Sequence, residues 1–160
     1  MKNFLWRCFA WLVSRKWVAD YLIRRALKTP YFHLPGYMER WWLWNSFKSP
    51  NYNPRWPSVR IHHLIRADRG RDKHDHPWPA RTIVLRNGYT EVRTVGAFDE
   101  FFDRRRGDTA TLGFNEEFHR IVAVDNDTWS LFITWEYRGK WGFWVDGRKV
   151  PHDEYEGEAP

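Results

Sequence analysis

A mainly β fold, built as an antiparallel sandwich or barrel behind an N-terminal helical and aromatic extension, is what this 160-residue chain predicts. Three observations lead there. From Ser58 onward, short segments of alternating or β-branched residues recur at a spacing of about 8–12 residues between turn signals. The first thirty residues instead carry apolar side chains at helical spacing. The length is that of one domain, and a hydrophobic fraction of 42% supplies a core without any apolar run near the ~20 residues of a membrane span.

In the N-terminal arm, Leu5, Phe9, Leu12 and Val13 and then Trp17, Tyr21, Leu22 and Ala26 form helical stripes. Ser14 offers a break that would give two short helices, and Pro30 closes the segment. Lys2 ahead of Phe4–Val13 has the outline of a signal peptide. Four bulky aromatics and the lack of a small-residue cleavage site argue against one. Residues 31–57 are aromatic and punctuated by proline, and they read as a short helix around Tyr37–Trp44 followed by a loop wrapped onto the core. The expected organisation is an extension over 1–57, a barrel over 58–152 and a frayed acidic tail over 153–160.

The expected strands are Val59–Ala67, Arg81–Leu85, Tyr89–Val95, Thr109–Leu112, Phe118–Val124, Trp129–Trp135, Trp141–Val145 and Arg148–Val150. Asn87-Gly88 and Asp146-Gly147 read as two-residue hairpin turns, because such turns need positive φ at both central positions. Gly96 would end its strand, and Arg104-Arg105-Arg106 reads as a solvated run before a turn.

The formal charge of +6 sits entirely in residues 1–30, which hold seven basic side chains against one acid, Asp20. The other 130 residues balance, and no nucleic-acid-binding motif is present, which argues against a nucleic-acid partner. A basic amphipathic arm fits either a cap over one mouth of the barrel or peripheral contact with an anionic membrane. The one cysteine, Cys8, excludes an internal disulfide and a cysteine-based zinc site, and fits a reducing, cytoplasmic setting.

The strongest chemical signal is His74-Asp75-His76. Alternate residues of a strand share a face, so both imidazoles can enter one site, and His119 on a later strand can complete a three-histidine metal centre with open positions. This stretch resembles the first cupin motif: His76, four residues, Arg81 where the motif has glutamate, six residues, then Gly88. The second motif is matched from Gly107 to His119, one residue longer than usual, with Ala123 where an asparagine is expected. The runs Tyr37–Leu43, Arg66–Asp68, His74–Trp78 and Trp141–Phe143 further resemble cupin-like proteins of phages and prophages. The resemblance implies a jelly-roll barrel and a divalent metal held by His74, His76 and His119. It favours Fe2+ as in three-histidine thiol dioxygenases, with Zn2+, Ni2+ or Mn2+ as other ions imidazole accepts.

Arg81 cannot ligate a metal. It could receive the carboxylate or phosphate of a small anionic substrate, or pair with Asp75 or Glu91 on the barrel surface. His62 and His63 are adjacent, so at most one enters the barrel. The resemblance makes His62 the pocket candidate, for orientation or proton transfer. Arg60 and Arg66 share its face. Asp75 should point away and anchor its loop. Two classes of function remain: a metal-dependent dioxygenase acting through His62 and Arg81, and a non-catalytic small-ligand or metal-binding module with an interaction surface on its basic amphipathic N-terminal arm.

Overall fold

The computed structural model describes residues 2–95 and 98–157. Gly96, read as the end of a strand, lies outside them. Two helices open the chain, α1 (Lys2–Val13) and α2 (Lys16–Ala26), with the break at Ser14 and Arg15. Eleven strands follow: β1 (Met38–Trp44), β2 (Ser58–Leu64), β3 (Lys73–His74), β4 (Ala80–Arg86), β5 (Gly88–Val95), β6 (Phe98–Arg105), β7 (Thr109–Leu112), β8 (His119–Val124), β9 (Thr128–Thr134), β10 (Gly142–Val145) and β11 (Arg148–Pro151). They form two antiparallel sheets, one in the order β1-β2-β9-β4-β7 and the other β11-β10-β3-β8-β5-β6. The architecture is the jelly roll that the sequence predicts.

Four expectations are corrected. Met38–Trp44 is a strand, because its aromatic residues suit a pleated surface and its backbone pairs with β2 from Met38↔Leu64 to Trp44↔Val59. Alternation then sends Trp41 to the outer core and leaves Met38 and Arg40 on the cavity side. Asn87-Gly88 is a crossing between sheets, since β4 pairs with β7 and β9 while β5 pairs with β6 and β8. Asn87 has φ 52°, but Gly88 is needed because a Cβ there would run into the carbonyl oxygen of Arg104. Arg104 and Arg105 belong to β6, an edge strand with mostly exposed side chains and therefore no buried stripe to announce it. The tail packs back at Tyr155, whose ring stacks on Phe143 at 3.8 Å and whose hydroxyl donates to Asp72 at 2.8 Å. Asp146-Gly147, with φ 48° and 80°, makes the expected hairpin between β10 and β11.

The helices lie on the outer face of the first sheet and not over a barrel mouth, which corrects the cap expectation. Ala10, Val13, Ala19, Ile23 and Ala26 pack on Trp41, Ile61, Ile83, Leu85, Trp129, Leu131 and Ile133. Asp20 on α2 accepts from Lys16 and from Arg86 on β4, both at 2.8 Å, and those hydrogen bonds hold its carboxyl below the usual 3.8. A lowered folded value stabilises above the ordinary pKa and is lost as pH falls through the folded one. Asp20→Asn should therefore flatten the fall in Tm as pH drops below about 4, measured by circular dichroism melts.

Candidate metal centre

The site forms where β3, β8 and the loop after β3 meet. His74 on β3 stands directly opposite His119 on β8, and His76 follows two residues on, on the same side. Ring centroids are 4.9 Å apart for His74 and His119, 5.2 Å for His76 and His119, and 5.5 Å for His74 and His76. One ligand nitrogen from each falls within 4.8 Å of the others. His74 and His119 are buried, and His76 is half-buried.

Glu91 on β5 decides how His119 is presented. This carboxylate is fully buried, and Oε2 lies 2.9 Å from His119 Nδ1. Arg104 Nε donates to Oε1 at 2.6 Å, and an Arg93 guanidinium N–H donates to Oε2 at 3.1 Å. Burial pushes the Glu91 carboxyl up, but His119 and Arg93 together hold it well below the usual carboxylate range. The ionised carboxylate accepts a hydrogen bond from the Nδ1–H of His119, which leaves Nε2 with its lone pair free as a ligand. That Nε2 lies 2.9 Å from Nε2 of His76. Two lone pairs cannot face each other so closely, so a proton or a cation belongs between them. Burial and the neighbouring His119 lower the pKa of both His74 and His76, which favours the neutral imidazoles a metal needs. The donor set therefore fits a divalent metal.

Asp75 points away as expected. Its carboxylate accepts from the Gly142 and Asn115 N–H groups at 2.7 and 2.9 Å and from Lys149 at 2.7 Å, fixing the loop between the two ligands.

The histidines open into a cavity of about 390 Å³ between the sheets. Its wall is largely apolar, with Leu64, Leu112, Ile121, Phe132 and Trp141 among the lining residues. His62 lines it while His63 turns outward to Glu39 and stacks on Trp129, so the alternation of β2 chooses between them. His62 stacks on Phe132 at 4.7 Å, and its buried Nε2 has no hydrogen-bond partner. Burial and the charges of Arg60 and Arg40 push its pKa well down, so the ring is neutral.

Arg81 does not reach the histidines. On β4 it shares the outer face with Ile83, stacks over the Trp6 ring at 4.6 Å and donates to Thr109 Oγ1 at 3.3 Å. The inner face of β4 carries Thr82 into the cavity. The expectation that Arg81 meets substrate, or pairs with Asp75 or Glu91, is corrected by one step of strand alternation. Arg66 lies past the end of β2, over the Tyr37 ring.

Of the two arginines that line the cavity, Arg40 is half-buried and Arg60 is buried, only 3% exposed. Its guanidinium lies 4.8 Å from the Trp78 ring centroid and 5.2 Å from that of Trp42, and it donates to Thr134 Oγ1 at 2.9 Å. Among the described residues no carboxylate pairs with it, and its Nε is unpartnered. Burial lowers its pKa to about 10, so it remains charged at neutral pH. The β2 alternation that singles out His62 also marks Arg60 as inward-facing. Glu91 left no such signal, because its role depends on how β5 meets β8.

Comparison with known proteins adds the fold class. A vicilin from Solanum melongena aligns over 77% of this chain and 33% of its own, at 11% identity and a TM-score of 0.53. A re-refined structure of the same vicilin aligns over 76% and 34%, at 14% identity and 0.53. The fold is a cupin fold. An oxalate oxidase with the substrate analogue glycolate aligns over 79% and 67%, at 12% identity and a TM-score of 0.49. This chain spans about a third of the vicilin's length, and at such identities the likeness concerns the fold. No protein-family model and no curated protein matches the chain.

Proposed function

We propose that this is a metal-binding cupin in which His74, His76 and His119 hold a divalent ion, Fe2+ foremost, and that it acts as a mononuclear three-histidine dioxygenase on a small anionic substrate. The observation that carries the reading is the convergence of three imidazoles within 4.8 Å beside a buried, acid-free arginine in one cavity. Zn2+, Ni2+ and Mn2+ are the other ions such a donor set accepts.

Bound there, a ferrous ion would supply the redox chemistry with dioxygen and leave positions open for ligands. The protein's own residues do the rest. Arg60 offers its guanidinium to a carboxylate or phosphate, held in place by Trp42, Trp78 and Thr134. Phe132, Trp141 and Leu112 exclude water from the reacting groups. Neutral His62 can accept a proton at Nε2 and pass it back. Glu91 keeps the His119 ring oriented.

Oxygen consumption by iron-loaded protein against a panel of thiols and carboxylates tests the reading. Uptake with an anionic member is expected. Arg60→Met should weaken that substrate about tenfold to a hundredfold in KM, the worth of a charged hydrogen bond. Metal and anion binding without oxygen uptake would instead support a non-catalytic small-ligand module. Failure to retain metal after both aerobic and anaerobic preparation would remove the proposal.

A further inference from the structure

The two helices present their apolar residues in an unusual order of size. Toward the sheet, α1 turns Ala10 and Val13 and α2 turns Ala19, Ile23 and Ala26, with Trp6 and Leu22 partly covered beside them. Away from it they display Phe4, Leu5, Phe9, Trp11, Leu12, Trp17 and Tyr21, each between 40% and 72% exposed. Burial of apolar area would favour the reverse, because an aromatic side chain gains more from leaving water than alanine does. The sheet side is nonetheless close-packed, and among the described residues the outward bulk makes only marginal contacts: Phe9 meets Trp6 edge-on at 5.8 Å, and Phe4, Trp11 and Leu12 border an open groove beside residues 106–109.

The same face is strongly cationic. Arg7, Arg15, Lys16, Arg24, Arg25 and Lys28 are all exposed. The Arg15 guanidinium lies 3.6 Å from the Trp11 ring centroid. Asp20, the one acid of residues 1–30, is engaged by Lys16 and Arg86.

We propose that the outward face of α1 and α2 is a docking surface for an anionic lipid bilayer, on which the helices lie flat. Aromatic and leucine side chains enter the boundary between headgroups and acyl chains, while arginine and lysine meet lipid phosphates. Neither helix is long and apolar enough to cross a membrane. A nucleic acid would use the charges but leave Phe4, Leu5 and Leu12 in water. A second copy of this chain would bring two cationic faces together. Only an anionic apolar surface satisfies both halves of the pattern.

Co-sedimentation of the full chain with vesicles tests this. Mixed phosphatidylcholine–phosphatidylserine vesicles should retain the protein, pure phosphatidylcholine should retain little, and raised salt should weaken binding. The double substitution Trp11→Gln with Trp17→Gln should lower partitioning by about tenfold or more. Arg24→Glu with Arg25→Glu should lower it similarly, which keeps the test open if the first variant folds poorly. Phe98→Gln, at a 76% exposed position on β6, should change nothing. Absence of vesicle binding overturns the proposal, as does binding unaffected by either double variant. Retention of duplex DNA without vesicle binding would make the face a polyanion surface. Self-association without vesicle binding would make it a subunit interface. Either of those results also overturns it.

Discussion

His76→Ala is expected to reduce bound metal from about one ion per chain to less than about a tenth, measured by elemental analysis of untagged protein. His76 is the cleanest of the three ligands to remove. It is half-buried, lies in the loop after β3, and among the described residues its ring nitrogen hydrogen-bonds only to His119. Its loss should leave the metal-free Tm close to the parent's and abolish the rise in Tm that added metal produces. His119→Ala is less informative, because it also strands the buried Glu91 carboxylate. Normal metal content in His76→Ala would show that the cluster is not the binding site.

Glu91→Ala is expected to cost about 3–5 kcal/mol of folding stability, the usual result of breaking a buried charge network from one side. Arg104 and Arg93 would lose the carboxylate they converge on, and His119 would lose the partner that sets its tautomer. Glu91→Gln keeps the shape, so it should lose less stability while weakening metal affinity by about 10–100-fold. Urea unfolding read against metal titration separates the two effects. A Glu91→Ala variant within about 0.5 kcal/mol of the parent would show that the carboxylate does not hold this network together.

Much of the site was legible because strand alternation is local. The His74–His76 pair and the outward aim of Asp75 follow from a period of two, which also says that only one of His62 and His63 can enter the barrel. The resemblance to cupin motifs supported His119, on a distant strand, as the third ligand and made His62 the pocket candidate. Other features depended on interactions that no local pattern contains. β1 was hidden because aromatic residues fit a helical stripe as well as a pleat, and its pairing with β2 settled the matter. β6 was hidden because an exposed edge strand needs no apolar face.

The sequence by itself determined the β class, the two-helix arm, the location of the whole net charge in residues 1–30, and the histidines capable of ligating a metal. Tertiary structure decided which face of each strand is the inside. Alternation says that Arg81 and Thr82 point in opposite directions, but only the docking of α1 and α2 on the first sheet makes the Arg81 side the outer one. The same docking makes Arg60, and not Arg81, the cation beside the histidines. It also leaves most of the arm's large aromatic side chains, Trp6 excepted, facing away from the fold. Periodicity is written in neighbouring residues, whereas inside and outside exist only once sheets and helices have packed against each other.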